Sequence, residues 1–380
     1  MRTIRVSRPR VLRTFAAGLS LVLMAGCAAG HNEWARRAEA MPALAHFDDA
    51  ETPAAVTPRP SGEILRTNEA MRAFTRAAVR NAASAEQRMR RLSRAVLHPG
   101  SLGLRYNDRM TRTAEEAFST ANGNCLTLSV LFVALAREAK IDAAFYEVDV
   151  LPEWTRAGDI VFSTRHVNVG GDLGAGGGYV MDFYPYRARR EINRRKLTDR
   201  QAIAQYYNNI GAELLADNDL HSAYLHFREG LRLAPRLGFL WSNIAVVYAR
   251  NQQHGAAEAA LQHAIALDHR KTSALSNLAG LYKTIGRDEE AAQLTEKIAV
   301  AQRNNPYFQY VLSERDFADE RYADALKRLE LAISLKPHEP MFYQLAADTA
   351  NVLNKLDLAA EYGAQAASLK SEAESRMLRN

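Results

Sequence analysis

The C-terminal half of this chain repeats itself at a step of 34 residues. Five segments follow one another, and they start near Ala204, Gly238, Thr272, Pro306 and Pro340. An alanine stands at the same position of every segment: Ala223, Ala257, Ala291, Ala325 and Ala359. A small residue that recurs at this spacing indicates two helices in close contact. One such unit cannot bury its own apolar face, so neighbouring units must stack.

The period, the small residues and the bulky residues between them resemble the tetratricopeptide repeat. The bulky residues are Tyr207, Trp241, Leu275 and Tyr343. The resemblance implies helical hairpins stacked into an all-α superhelix over residues 199–372, followed by a tail at residues 373–380. It also implies that a protein or peptide partner binds on the array. The alternative is that the array is only a structural packing arm.

A single cysteine opens a long apolar run before the repeats. Residues 121–138 read ANGNCLTLSVLFVALARE, in which Cys125 directly follows Asn124 and lies three positions after Asn122. Either asparagine can cap a helix by accepting a hydrogen bond from a free backbone N–H. The free N–H groups and the positive end of the helix dipole favour a thiolate, which is the nucleophilic form. The other interpretation is that Cys125 is a small, inert core residue.

A base for this thiol, and a partner for the base, lie further along the chain. His166 stands in RHVNV and Asp182 in YVMDF, and both segments are predicted to be strands. A nucleophilic thiol needs a base, and the base needs a group that orients it. Neighbouring strands lie about 5 Å apart, so His166 and Asp182 can meet. No second cysteine and no close histidine pair lie near Cys125 in the sequence, so neither a metal nor a cofactor is predicted.

These residues in this order resemble the transglutaminase-like superfamily. The shared pattern is Gly-Asn-Cys-Leu opening a buried helix, then His-Val-Asn on a strand, then Asp on the next strand. The resemblance covers residues 64–198 and implies a papain-like α+β domain, in which the helix packs on an antiparallel sheet. It implies that Cys125 is the nucleophile, His166 the general base and then acid, and Asp182 the residue that orients His166.

The resemblance leaves the reaction open. Members of the superfamily include amide cross-linkers, peptidases, deglycosylating amidases and inactive binding modules, and the active ones transfer an acyl group through a thioester. The acceptor can be water or an amine. The backbone N–H of Cys125 would be one oxyanion donor, and Asn122 and Tyr106 are further candidates for this support.

The first residues resemble the export signal of a bacterial lipoprotein. Residues 1–26 hold five arginines and no acidic residue, and the apolar stretch at residues 15–25 is too short to span a bilayer. The resemblance implies a lipid on Cys27 and, because Ala28 follows, anchoring in the outer membrane facing the periplasm. The alternative is an ordinary secretory signal. Residues 27–63, which are rich in alanine and proline, are predicted to be a flexible tether.

Composition gives no case for a nucleic-acid partner. The formal charge is +6, and the five arginines of residues 1–26 account for all but +1 of it. The basic run Arg187–Arg195 is predicted to be a solvated linker or helix face. Three functions remain. The first is an envelope-anchored amide hydrolase, peptidase or transglutaminase that recruits its substrate through the repeats. The second is a non-enzymatic scaffold lipoprotein with a structural transglutaminase-like domain, and the third is a periplasmic adaptor that delivers a peptidoglycan enzyme through the repeats alone.

Overall fold

The computed structural model describes part of the chain: residues 33–45, 55–107, 110–149, 154–157, 160–163, 166–174, 177–183, 193–267 and 272–379. The predicted export signal and Cys27 lie outside these ranges. Contacts divide the chain into two units: one takes in most of residues 11–150 and 165–291, the other residues 151–164 and 292–380. Of the helices in the described ranges, none is long and apolar enough to cross a membrane.

The described helices before the main sheet are α1 (33–39), α2 (Ser61–Ile64), α3 (Glu69–Val79), α4 (Ala85–Leu97), α5 (Ala114–Thr120) and α6 (Cys125–Glu138). Polar caps explain where four of them begin, since the side chains of Asn68, Ser84, Thr113 and Asn124 each accept a backbone N–H. Every residue of α6 from Leu126 to Ala136 is buried. A helix that is apolar on all faces belongs in the core, and α6 lies there.

The described strands are β1 (Arg105–Tyr106), β2 (Asn122–Gly123), β3 (Ala144–Asp149), β4 (Trp154–Ala157), β5 (Ile160–Ser163), β6 (His166–Asp172), β7 (Gly178–Met181) and β8 (Asn193–Lys196). The main sheet has the order β7-β6-β3-β8, and each neighbouring pair is antiparallel. Helix α6 packs on β6 and β3, and Ser129 Oγ donates to the Val167 carbonyl at 3.4 Å. Membership of the transglutaminase-like superfamily stays a prediction.

The end of the basic run is a strand, so the prediction of a solvated linker or helix face is wrong for residues 193–195. These residues belong to β8, which pairs with β3 at the edge of the sheet. The sequence Asn-Arg-Arg-Lys has no apolar alternation that could reveal a strand. An ion pair with a buried acid stabilises this strand in the absence of apolar residues. Arg195 donates to Glu147 at 2.6 Å, and Glu147 is only 4% exposed.

The repeat region consists of α7 (Asp199–Ala216), α8 (Leu220–Leu233), α9 (Gly238–Arg250), α10 (His254–Leu267), α11 (Thr272–Thr284), α12 (Asp288–Arg303), α13 (Pro306–Ala318), α14 (Tyr322–Leu335), α15 (Pro340–Val352) and α16 (Leu356–Arg379). Four predicted repeat starts coincide with helix starts, namely Gly238, Thr272, Pro306 and Pro340. The first repeat starts earlier, at Asp199, because Thr198 and Gln201 form a capping box. The prediction of an all-α repeat array is thereby confirmed.

Consecutive helices pack as hairpins in both units: α7 with α8, α9 with α10, α13 with α14, and α15 with α16. The recurring alanines Ala223 and Ala257 are 0% exposed, as close helix contacts require. Gly211 serves the same purpose in the first hairpin, since a Cβ there would lie 2.7 Å from the Phe227 ring. In the second unit, the buried Phe342 ring lies 5.3 Å from that of Tyr310.

Replacing Ala257 by leucine should destabilise the first unit. Ala257 has no exposed surface on α10, so added methylene groups force its neighbours apart. We expect a loss of about 1–3 kcal/mol in the free energy of unfolding. Because each repeat is stabilised by its neighbours, the loss should extend to α7–α9 as faster amide hydrogen exchange.

The matched control is Ala266→Leu, which adds the same side chain to an exposed position of the same helix. Urea unfolding should separate the two variants, with Ala266→Leu within about 0.5 kcal/mol of the parent. Equal unfolding curves for all three proteins would show that Ala257 is not at a tight helix contact.

The described parts of the predicted tether are packed, so the prediction of a flexible segment is wrong for them. Residues 33–39 form α1, and the Pro42 carbonyl accepts hydrogen bonds from Tyr224 and Tyr248. The Arg59 carbonyl accepts a hydrogen bond from Tyr207 Oη at 2.5 Å. The composition indicated a tether because the segment has no periodic apolar residues. Hydrogen bonds from tyrosine hydroxyls to its backbone carbonyls do not require such a period.

The contacts do not divide the chain at the predicted boundary between residues 198 and 199. Helix α7 belongs to the same unit as the main sheet. Arg137 of α6 forms an ion pair with Asp199, with Nη1 2.6 Å from Oδ2, and Gln205 Nε2 lies 3.5 Å from Glu147 Oε1. The first repeat helix therefore packs against α6 and β3, within the same unit. The predicted tail at residues 373–380 also differs, since α16 extends to Arg379.

Candidate functional site

Cys125 is the first residue of α6, and Asn124 caps that helix. The Asn124 side chain accepts the Thr127 backbone N–H at 2.9 Å, so the sequence alternatives of Asn122 and Asn124 resolve to Asn124. Cys125 itself is partly exposed. A partly exposed thiol at a helix start, beside free N–H groups, differs from the inert core cysteine of the alternative interpretation.

The cap is itself held in place from the first repeat. Asn124 Nδ2 donates to Thr111 Oγ1 at 2.8 Å, and Thr111 Oγ1 donates to Glu213 Oε1 at 2.6 Å. Because Thr111 takes the amide nitrogen of Asn124, the amide oxygen faces the helix. Burial raises the pKa of Glu213, an effect that the Thr111 hydrogen bonds reduce. A hydrogen-bonded chain thus joins α7 to the helix that carries the thiol.

The sheet brings His166 and Asp182 together. His166 is the first residue of β6, and Asp182 follows the last residue of β7. Val169 pairs with Met181 across these strands, so continuation of the register puts His166 and Asp182 in diagonal positions on one face. His166 Nε2 lies 2.7 Å from Asp182 Oδ2, and the side chains are 4% and 21% exposed.

Asp182 and Cys125 both influence the His166 imidazole, whose Nε2 faces the carboxylate. Burial lowers the pKa of His166, but the hydrogen bonds and charges of Asp182 and Cys125 outweigh it and raise the pKa to about 10. The imidazole is therefore held in its protonated form near neutral pH.

The two predicted supporting residues lie next to the helix start. Tyr106 and Gly123 are partners in the short parallel pair of β1 and β2, which puts Tyr106 beside the turn before Cys125. The Asn122 amide oxygen accepts a hydrogen bond from Arg112, whose Nη1 also lies 3.4 Å from the Asn122 carbonyl. The oxyanion role of both residues stays a prediction.

Sequence analysis missed an arginine on the same face of the sheet. Arg194 Nε donates to Asn168 Oδ1 at 3.1 Å, and its guanidinium lies 3.6 Å from the centre of the Tyr146 ring. Asn168 is two residues from His166 on β6, so both side chains lie on one face. Gly170 leaves the space for this guanidinium, which a Cβ there would meet. No sequence signal marks Arg194, because β8 has no strand pattern.

The arrangement provides a thiol at the start of α6, and an imidazolium that is in contact with an orienting carboxylate. Such a set can add a thiolate to a carbonyl carbon and protonate the leaving group. In the described ranges, no group of three or more His, Cys, Asp or Glu side chains is placed to hold a metal ion.

Comparisons with known proteins give only weak likenesses. No protein-family model matches the sequence, and no curated protein matches it. Among solved structures, MamA from Desulfovibrio magneticus RS-1 is 17% identical over 44% of this chain and 96% of its own, with a TM-score of 0.25. PilF from Pseudomonas aeruginosa is 20% identical over 45% and 78%, with a TM-score of 0.27. YrrB, a TPR protein with an unusual peptide-binding site, is 14% identical over 44% and 87%, with a TM-score of 0.25. At these scores the likeness carries no argument about what this chain does.

Proposed function

We propose that this protein is a repeat scaffold that binds a protein segment, and that its α+β part carries a thiol site for acyl transfer. The observation that carries the enzymatic half is the 2.7 Å contact of His166 Nε2 with Asp182 Oδ2, in a histidine whose pKa Cys125 also helps to raise. The observation behind the scaffold half is the array of helical hairpins.

The proposed reaction uses the three side chains in order. The Cys125 thiolate adds to the carbonyl carbon of an amide, and the oxyanion is met by the Cys125 backbone N–H. His166 gives its proton to the leaving amine as the C–N bond breaks, which leaves a thioester. Neutral His166 then takes a proton from water or from a second amine as it attacks, and the thiolate is released. Asp182 holds the imidazole orientation throughout.

The second candidate function is a scaffold without catalysis. It is favoured by the chain of hydrogen bonds that joins Asn124 to Glu213, because this chain integrates the α+β part with the first repeat helix as a structural element would. In this alternative, the contact of His166 with Asp182 only stabilises the sheet.

Alkylation of Cys125 by iodoacetamide separates the two candidates. A protein with an activated thiol should label Cys125 at pH 7 faster in the folded state than in urea, because an ordinary cysteine is only about 3% thiolate at that pH. Peptide mapping assigns the label to Cys125 rather than Cys27. If the alkylation rate in the folded state is equal to or below the rate in urea, the scaffold without catalysis is the candidate function that stands.

We also propose that the chain is anchored in the envelope by a lipid on Cys27, facing the periplasm from the outer membrane. The arginine-rich start, the short apolar stretch and the small residues Ala25 and Gly26 before the cysteine support this. In a bacterial host, the parent should incorporate labelled palmitate and enter the detergent phase, because acyl chains provide stable anchoring. Cys27→Ala should remain as an unprocessed precursor. Normal processing of that variant would contradict the lipoprotein proposal.

A further inference from the structure

The surface of the first two repeats binds a segment of this same chain. We use the name docking surface for the side chains of Tyr224, Trp241, Tyr248, Asn251, Gln253 and His263. These residues lie on α8, α9, α10 and the turn between α9 and α10. The segment that lies on them is residues 33–45, which are far from them in sequence and belong to the same unit.

Much of the recognition is of backbone atoms. Tyr224 Oη and Tyr248 Oη donate to the Pro42 carbonyl at 3.1 and 2.6 Å. Gln253 binds the residues that follow Pro42 with both ends of its side-chain amide. Its Nε2 donates to the Ala43 carbonyl and its Oε1 accepts the Ala45 N–H, each at 3.0 Å. Such contacts accept many sequences, provided that the backbone is extended and unpaired.

Asn251 completes this end of the docking surface. Its Nδ2 donates to the Ala45 carbonyl at 3.0 Å and also lies 2.7 Å from Gln253 Oε1. Side-chain amides that bridge both the carbonyl and the N–H of one residue fix the direction and register of the bound backbone.

An aromatic anchor gives the selectivity that backbone contacts lack. The Trp34 ring lies edge-on to Trp241 and His263, with centroids 6.2 and 5.5 Å away. Trp241 is itself 1% exposed, so it forms a fixed wall. The Arg37 guanidinium covers the outer side of Trp34 at 4.7 Å from the ring centre. Aromatic residues with one polar edge are typical anchors of binding interfaces.

We propose that the docking surface is a binding site for a segment of a protein partner that carries a tryptophan on a short helix and, eight residues later, a proline carbonyl in non-helical backbone, and that residues 33–45 occupy it as an intramolecular ligand. This deepens the scaffold half of the proposed function and is independent of the thiol site. Because this segment belongs to the same chain, it is always present near the docking surface, and a partner must outcompete it. The array is therefore closed to weak ligands.

A synthetic fluorescent peptide of residues 33–45 tests this on the full-length protein. Trp34→Ala with Ala45→Pro removes the ring contact and the N–H donated to Gln253, which should vacate the docking surface. We expect the peptide to bind this double variant at least tenfold more tightly than the parent. Adding Gln253→Ala to the double variant should weaken peptide binding at least tenfold. Glu39→Ala, an exposed change in the same segment, should behave as the parent does.

Two outcomes would overturn the proposal. One is equal binding of the peptide to the parent and the double variant, including no binding to either. The other is binding that Gln253→Ala does not weaken. Amide hydrogen exchange provides the second readout: residues 33–45 should be protected in the parent and in Glu39→Ala, and should exchange faster in the double variant, whereas equal protection would show that the segment does not leave. None of these measurements involves Cys125. The docking proposal can therefore be wrong while the thiol proposal holds, and the thiol proposal can be wrong while the docking proposal holds.

Discussion

Replacement of His166 by alanine should slow the alkylation of Cys125 at pH 7 by about 30-fold, since an ordinary cysteine is only about 3% thiolate there. In the parent, Asp182 and Cys125 raise the pKa of His166, so that the imidazole stays protonated, and a cation near a thiol favours the thiolate. Without the imidazole, the thiol has only the helix start to favour its charged form. The measurement is the second-order rate of iodoacetamide labelling, with circular dichroism to show that the fold is kept.

The alkylation rates of the parent and of His166→Ala should depend differently on pH. Because the pKa of His166 is raised to about 10, the imidazolium persists as the pH rises from 7 to 9, and the parent rate should change little over that range. The His166→Ala rate should climb with pH as the thiol loses its proton to solvent, so the two curves should converge. Asp182→Asn should fall between them, because the ring stays but its orienting charge is lost. If the curves of alkylation rate against pH coincide for all three proteins, His166 and Asp182 do not activate Cys125 and the triad is disproved.

Replacement of Phe132 by alanine should cost about 3–5 kcal/mol of unfolding free energy, the range for a buried phenylalanine. Phe132 is 0% exposed in the middle of α6, and its ring lies 5.8 Å from that of Phe183. Phe183 directly follows Asp182, so the cavity also loosens the strand end that positions the carboxylate. Urea unfolding followed by circular dichroism measures the loss, and slower alkylation of Cys125 should accompany it.

Val180→Ala is the control for this substitution, because it shortens a side chain of the same sheet that is 41% exposed. It should cost less than about 1 kcal/mol, the span of strand preferences on a half-exposed face. A Phe132→Ala protein as stable as Val180→Ala would contradict the placement of α6 in the core.

Local patterns in the sequence were enough to predict the repeats and most of the candidate site. The alanine at every 34th position marks a helix contact whatever surrounds it, and four predicted starts coincide with helix starts. The two candidate caps Asn122 and Asn124 could be predicted because a cap acts within one helical turn. Cys125, His166 and Asp182 could be selected because each stands at the edge of an element whose pattern is clear.

Only the tertiary structure decided how residues without a pattern are used. Residues 193–196 form a strand that pairs with β3, and Arg195 is held there by the buried Glu147. The sequence Asn-Arg-Arg-Lys has no pattern that predicts this strand. The Pro42 carbonyl and the Tyr248 hydroxyl are 206 positions apart in sequence, and Thr111 and Glu213 are 102 apart.

Such contacts escape a reading of the sequence for a physical reason. Helix periods and caps are set by neighbours within a few residues, and they leave a repeated trace in the chain. A hydrogen bond from a side chain to a distant backbone carbonyl depends on the position of one acceptor, which every residue possesses. The local sequence therefore determined the repeat helices and the helix that carries Cys125. The strand at residues 193–196, the docking of residues 33–45 and the attachment of Asn124 to Glu213 were decided only when the folded elements came together.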